Sequence, residues 1–151
     1  MNQHSEERIQ KLHPVFADRV RQLITDLQRG GLTVECVQGL RTYAEQDALY
    51  AQGRLRQGPI VTNAKGGQSY HNFAVAADLC PFVNGQPAWE LNSAFNKIGL
   101  EAERLGLEWG GRWPRFPDRP HVQLAQVPPL IICRDLYKLG GLERVWQAVK
   151  I

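Results

Sequence analysis

Cysteine is scarce in this 151-residue chain: Cys36, Cys80 and Cys133 are odd in number, far apart, and form no C-x-x-C pair. That excludes a disulfide framework and suits a chain made in a reducing compartment. No apolar run approaches the ~20 residues needed to cross a bilayer, so membrane insertion is not expected. Met1 to Glu7 are polar and acidic and do not read as a signal peptide. The chain is therefore expected to be made in the cytosol and to reach any external target by a separate route. Charge of one sign is not concentrated either. The 18 basic and 15 acidic residues leave a net +3 with no Lys/Arg stripe, which argues against a nucleic-acid partner. The mild positive balance suits an anionic polymer. There is no internal repeat and no low-complexity segment. With 43% apolar residues the chain reads as a single domain over 1–151. A monomer is expected, although composition does not decide the oligomeric state.

Helical spacing of Val15, Phe16, Val20, Leu23, Ile24 and Leu27 after Pro14 predicts a helix that stops at Gly30-Gly31. A strand is predicted over Thr33 to Leu40, and a second helix over Ala44 to Gln52. From Arg54 to Ser69 the composition turns to Gly, Gln, Thr, Asn and Lys, predicting a long functional or mobile loop. Val75 to Cys80 reads as a buried strand ended by Pro81. A helix over Asn92 to Leu105, short strands over Leu107–Trp109 and His121–Leu124, and a last helix over Leu142 to Val149 complete the pattern. Strands and helices do not alternate regularly. The expected fold is α+β, with a small, largely antiparallel sheet and flanking helices.

Chemistry is concentrated in Ser69-Tyr70-His71-Asn72-Phe73-Ala74-Val75-Ala76-Ala77-Asp78 and in Asp118-Arg119-Pro120-His121. Two imidazoles and a carboxylate form a recognised three-ligand set for a catalytic zinc ion, with the fourth position left for water. The further carboxylate, three residues before the second His, is what such a site needs as a general base. Period-2 alternation puts Ala74 and Ala76 on the Asp78 side, leaving room there. Taken singly, each residue also has a plainer structural explanation. His71 suits a loop, Asp78 a hydrogen-bonded turn, His121 a satisfied core position and Asp118 a local turn between Pro117 and Pro120.

Arg41, at a strand end after Gly39-Leu40, offers a planar guanidinium to a substrate carboxylate or a developing oxyanion; it also suits a surface pair with Glu45. Cys80, two residues beyond Asp78, is better read as a buried thiol than as a ligand. Trp109 and Trp113 bracket Gly110-Gly111 and are placed to wall a cleft. His4 and His13 are expected to stand apart from the site.

Ser69-x-His71-x-x-Ala74-x-Ala76-x-Asp78 resembles the S-x-H-x-x-G-x-A-x-D signature of the VanY-like D-alanyl-D-alanine carboxypeptidase and L-alanyl-D-glutamate endopeptidase family. Asp118-x-x-His121 is similar to that family's closing acid-x-x-His. Gly39-Leu40-Arg41-Thr42, with Gln46 and Tyr50, resembles its G-x-R-[ST] block, and Trp109-Gly110-Gly111-x-Trp113 its W-G-G-x-W segment. The likeness runs from about residue 13 to 124; residues 126–151 are expected to form an extension packed on the domain. Ala74 departs from the family's Gly.

The resemblance implies a zinc peptidase of the hedgehog and D-Ala-D-Ala-peptidase fold. His71, Asp78 and His121 are implied as metal ligands, Asp118 as catalytic base and Arg41 as the substrate-side cation. Small members without a signal peptide look like phage or prophage endolysins, which reach the wall after release through the membrane and cut the L-Ala–D-Glu bond of peptidoglycan stem peptides. The alternatives are a D-Ala-D-Ala type carboxypeptidase and a zinc-stabilised wall-binding module that does not cut.

Overall fold

Pro14 stands at the first position of a helix over Pro14–Arg29, where its missing N–H costs nothing, and the His13 side chain caps that helix by accepting from Val15 N. In this computed structural model, which describes Met1–Ile151 throughout, the helix is α2. Its apolar stripe is sealed in the core: Phe16, Val20 and Leu23 are fully buried.

Ahead of it lies α1 (Gln3–Ile9), a short helix that the polar N-terminal sequence does not announce. Asn2 caps it by accepting from Ser5 N. A buried carboxylate from the sheet holds it down: Glu35 accepts Asn2 N at 2.9 Å on both oxygens, and Ser5 Oγ accepts Cys36 N at 2.7 Å.

The sheet contains β1 (Val34–Gln38), β2 (Ala76–Val83), β3 (Gln86–Pro87), β4 (Leu107–Trp109) and β5 (His121–Leu124), in the order β1-β2-β5-β4 with β3 paired to β2. Every pairing is antiparallel, and with five α-helices the fold is the expected α+β. Helices α1, α2 and α4 (Asn92–Arg104) pack against the sheet and one another. Between β1 and the central loop, α3 (Tyr43–Ala51) begins with a capping box in which Thr42 and Glu45 satisfy each other's backbone N–H groups.

β1 ends at Gln38 rather than Leu40, and two further boundaries differ more from the sequence pattern. β2 runs through Pro81, because Pro81 pairs with Val34 at the start of β1 and the ladder donor there is Phe82 N, which reaches Thr33 O at 2.9 Å. The last helix, α5, starts at Leu130 rather than Leu142 and runs to Gln147, broken at Gly140 and at Gly141, whose φ is 67°. Gly141 turns the chain there through a left-handed conformation that suits glycine. The C-terminal segment folds back on the short 3₁₀ turn Tyr70–Phe73: Trp146 Nε1 donates to Phe73 O at 2.9 Å and Tyr70 Oη donates to Pro128 O at 3.0 Å.

Candidate active site

Strand register makes the centre of the site. Asp78 on β2 lies directly opposite His121 on β5, and on its other side it pairs with Gln38 of β1. The β1–β2 register shifts between Cys36 and Gln38, a bulge that re-aims the end of β1 toward the same face. Val122 and Leu124, alternating with His121, are buried in the core.

His71 comes from the 3₁₀ turn, capped at its start by the Ser69 side chain. Asn72 stitches this turn to the Arg41 segment, donating to Arg41 O at 2.9 Å and accepting Gly67 N at 3.0 Å. Ala74, where the family carries Gly, closes the turn in a left-handed conformation with φ 59° and ψ 31°. Its methyl group is fully buried, so the fold tolerates a side chain here at the cost of backbone strain.

One ligand atom from each of His71, Asp78 and His121 lies within 4.8 Å of the others. His71 Nε2 stands 3.4 Å and His121 Nδ1 3.5 Å from the same oxygen, Asp78 Oδ1. Neither contact is a hydrogen bond, and Asp78 Oδ1 is buried with no partner. The outer nitrogens explain why. His71 Nδ1 donates to Gly39 O at 2.9 Å, and His121 Nε2 donates to Gln123 Oε1 at 2.7 Å. In the neutral tautomers those bonds select, both inner nitrogens turn bare lone pairs toward an anionic oxygen. Three electron-pair donors facing one point repel one another unless a cation sits among them, and outer N–H groups held by a carbonyl and an amide are how proteins orient metal-binding imidazoles. The donor set fits a metal ion.

Charge is distributed unevenly over the two acids. In the metal-free protein a proton takes the place of the cation: burial pushes the Asp78 carboxyl up, but His121 and His71, once protonated on the nitrogens that face it, outweigh burial and hold the group well below the usual carboxylate range. Burial also pushes His121 down, yet Asp78 more than reverses this and the imidazole is raised overall. Asp118 goes the other way: burial and then the Asp78 charge raise its carboxyl above the ordinary value. Its Oδ2 is 3.8 Å from His121 Nδ1, and the side chain is about half exposed (47%) to the cleft.

The segment carrying Asp118 is packed closely. Asp118 N donates to Gly110 O at 2.9 Å, and Trp109 Nε1 donates to Arg119 O at 2.8 Å. A Cβ on Gly110 would come within 2.4 Å of Asp118 O, so only glycine allows this approach. Trp113 lines the cleft, its ring 5.0 Å from that of His121. Trp109 does not wall the cleft as its position beside Gly110-Gly111 suggests: it is buried in the core, and only its indole N–H serves the site.

Arg41 reaches the same cleft. Its Nη1 donates to Gln46 Oε1 at 2.8 Å, and the fully buried Gln46 is itself fixed by donating to Ala64 O at 2.8 Å. Glu45 is not its partner, because that carboxylate accepts Thr42 N at the start of α3. Burial lowers the Arg41 guanidinium, against the charges of Asp78, Glu45 and Asp118, and its Nε is buried without a partner. Cys80 Sγ donates to Pro81 O and is not among the clustered ligand atoms. His4 and His13 lie outside the cleft. The loop over Arg54 to Ser69 contributes Val61, Thr62, Ala64 and Gln68 to its wall. Arg54 holds that loop by donating to Thr62 O at 2.9 Å and to Asn63 Oδ1 at 2.9 Å.

Gln123 and the Gly39 carbonyl are the members that sequence reasoning missed. Alternation along β5 puts Gln123 on the His121 face, which was the available signal; a backbone carbonyl leaves none.

Comparison with known proteins follows this geometry. The family described as D-alanyl-D-alanine carboxypeptidase matches residues 62–124, an interval that contains His71, Asp78, Asp118 and His121. The peptidoglycan L-alanyl-D-glutamate endopeptidase CwlK of Bacillus subtilis (strain 168) is 39% identical over 122 residues, spanning 75% of this chain and 73% of that protein. The chain belongs to the VanY-like peptidase family. Among solved structures, the L-Ala D-Glu endopeptidase ChiX of Serratia marcescens superposes with a TM-score of 0.63 at 24% identity, over 83% of this chain and 89% of that one. A mutant of the vancomycin resistance D,D-pentapeptidase VanY in complex with Zn(II) superposes with a TM-score of 0.56 at 15% identity, over 86% and 80%. These two share the fold. Members of the family are metallopeptidases, in keeping with the His71, Asp78 and His121 cluster.

Proposed function

We propose that this protein is a zinc-dependent peptidoglycan endopeptidase that hydrolyses the L-Ala–D-Glu bond of the stem peptide. The convergence of two imidazole lone pairs and an unpartnered carboxylate oxygen beside a second, raised carboxylate carries the metal-hydrolase reading. The choice of bond is supported by the likeness to CwlK. It is also supported by the shape of the cleft. The central cavity, about 470 Å³, adjoins a cavity of about 450 Å³ beyond Trp113 and one of about 260 Å³ beyond Arg41. A groove that continues on both sides of the ligands suits an internal bond better than a chain end.

His71, Asp78 and His121 would hold the zinc ion, whose chemistry when bound is to lower the pKa of water to about 7 and to polarise a carbonyl. Asp118, half exposed to the cleft beside His121, accepts the proton of the attacking water and returns it to the leaving amine. Arg41, oriented by Gln46, receives the D-Glu carboxylate and holds the scissile bond in register. Action as a monomer on the cell wall, in the setting of a phage-type endolysin, belongs to the same proposal and is supported by the family resemblance.

Digestion of purified peptidoglycan tests the reading. The expected product is a new D-Glu amino terminus with intact sugar chains, produced by zinc-loaded protein and abolished by a chelator. Release of D-Ala alone would establish a carboxypeptidase, and no product would establish a binding module.

A further inference from the structure

Phe116 is held in an unfavourable way. Its backbone φ is 53°, the left-handed region that suits Gly or Asn, and its ring is 82% exposed. Nothing in the fold is gained by an aromatic residue there. Strain kept at a residue that does not serve packing points to function. The ring borders the cavity beyond Trp113, together with the exposed side chains of Ile60 and Val61 and with Arg115, whose guanidinium has no hydrogen bond or ion pair within the protein.

The groove has two unlike arms. The central cavity shares Val61, Thr62, Trp113 and Asp118 with the Phe116 arm, and Arg41 and Leu49 with the other, while the two arms share no residue. The Arg41 arm is cationic: it adds Arg56, and its one acid, Glu45, is occupied at the start of α3. The Phe116 arm combines Ile60, Val61, Trp113 and Phe116 with the neutral polar Thr62 and Asn63 and the free Arg115 guanidinium, and its one acid, Asp118, lies where it meets the central cavity.

A stem peptide cut between L-Ala and D-Glu is asymmetric in the same sense. Its amine side carries the carboxylates of D-Glu and of the residues beyond. Its acyl side is one alanine joined through a lactyl ether to a muramyl sugar. Charge complementarity lays the acidic half in the Arg41 arm, which leaves the sugar beyond Trp113.

We infer that the cavity formed by Ile60, Val61, Trp113, Arg115 and Phe116 is a saccharide subsite that seats the muramyl sugar. This rests on the endopeptidase reading above. A pyranose offers a face of C–H groups to an aromatic ring and a rim of hydroxyl and acetamido oxygens to donors. Phe116 supplies the ring and Arg115 the donors. The cavity, about 450 Å³, is within the size range of small-ligand sites. The protein thereby distinguishes a stem peptide still attached to its glycan from a free one.

The test compares kcat/KM for a muramyl-linked stem peptide with that for the same peptide capped by lactate alone. The native protein is expected to prefer the sugar-linked substrate by about tenfold, the ~1.4 kcal/mol that one well-seated aromatic contact supplies. Phe116→Gly is expected to cut that preference below about threefold while its Tm equals or exceeds that of the native protein, because glycine relieves the left-handed strain. Arg115→Ala is expected to cut it in part. The peptide-free disaccharide is expected to inhibit the native protein and to lose that inhibition in Phe116→Gly. Equal rates on the two substrates, or a preference unchanged in Phe116→Gly, would overturn the subsite and leave the endopeptidase standing. Cleavage of neither substrate would overturn both.

Discussion

Replacing Gln123 by leucine removes the acceptor of the 2.7 Å hydrogen bond from His121 Nε2 and leaves the backbone pairing of β5 alone. The consequence differs between the metal-free and metal-bound protein. Without metal, His121 can move its proton to Nδ1 and offer it to Asp78 Oδ1, 3.5 Å away, so the lost acceptor is partly replaced. With metal, Nδ1 is occupied and the Nε2–H must stay, buried and unpaired, which costs about 1–3 kcal/mol. The loss therefore falls on the bound state. Zinc affinity is expected to drop by about 10- to 100-fold, as for other outer partners of metal-binding imidazoles, while the metal-free Tm moves little. Gln123→Glu keeps an acceptor and makes it anionic, so it is expected to bind zinc at least as tightly as the native protein. Competition against a chromophoric chelator measures both. Leucine within about twofold of the native zinc affinity, or glutamate weaker than leucine, would refute this account of how His121 is oriented.

Asp118→Asn is expected to keep its zinc and its fold and to lose about 10²- to 10⁴-fold in kcat, the usual yield of a positioned base; loss of the metal instead would make Asp118 a ligand. Ala74→Gly is expected to raise stability by up to about 1 kcal/mol, since relief of the left-handed alanine, about 1–2 kcal/mol, exceeds the ~0.8 kcal/mol of one buried methyl group; chemical denaturation measures it. Glu6 is held below the usual carboxylate range, first by its hydrogen bond with Arg21. Its contribution is therefore present above the unfolded-state pKa and is lost as pH falls through the lower folded one. Glu6→Gln is expected to lower stability by a few tenths of a kcal/mol at neutral pH, because the pair is exposed. In strong acid the variant and the native protein are expected to unfold together.

Much of this protein was legible where the information is local. Pro14, the stripe from Phe16 to Leu27 and Gly30 specify α2 within one stretch of chain, and the alternation of His121, Val122, Gln123 and Leu124 specifies which face of β5 meets the core. The chemistry was legible for the same reason. Ser69 to Asp78 and Asp118 to His121 each hold their candidate residues within a few positions, so these could be proposed from the sequence alone.

The remainder depended on partners far along the chain. Helix α1 is anchored because Glu35, on β1, accepts the backbone N–H of its cap residue Asn2. The first half of α5 lacks a side-chain cap and rests on the turn that holds His71. Trp109 turns inward because the neighbouring backbone needs its N–H at Arg119 O, a choice invisible in a W-G-G-x-W pattern. Above all, sequence named three candidate ligands, but only the β2–β5 register opposes Asp78 to His121, and only the fold brings the Gly39 carbonyl against His71. Proton position follows from those contacts. Short-range patterns determine helices, faces and residue types; the direction of a lone pair is set by a hydrogen bond to a residue tens of positions away, and that only the folded chain decides.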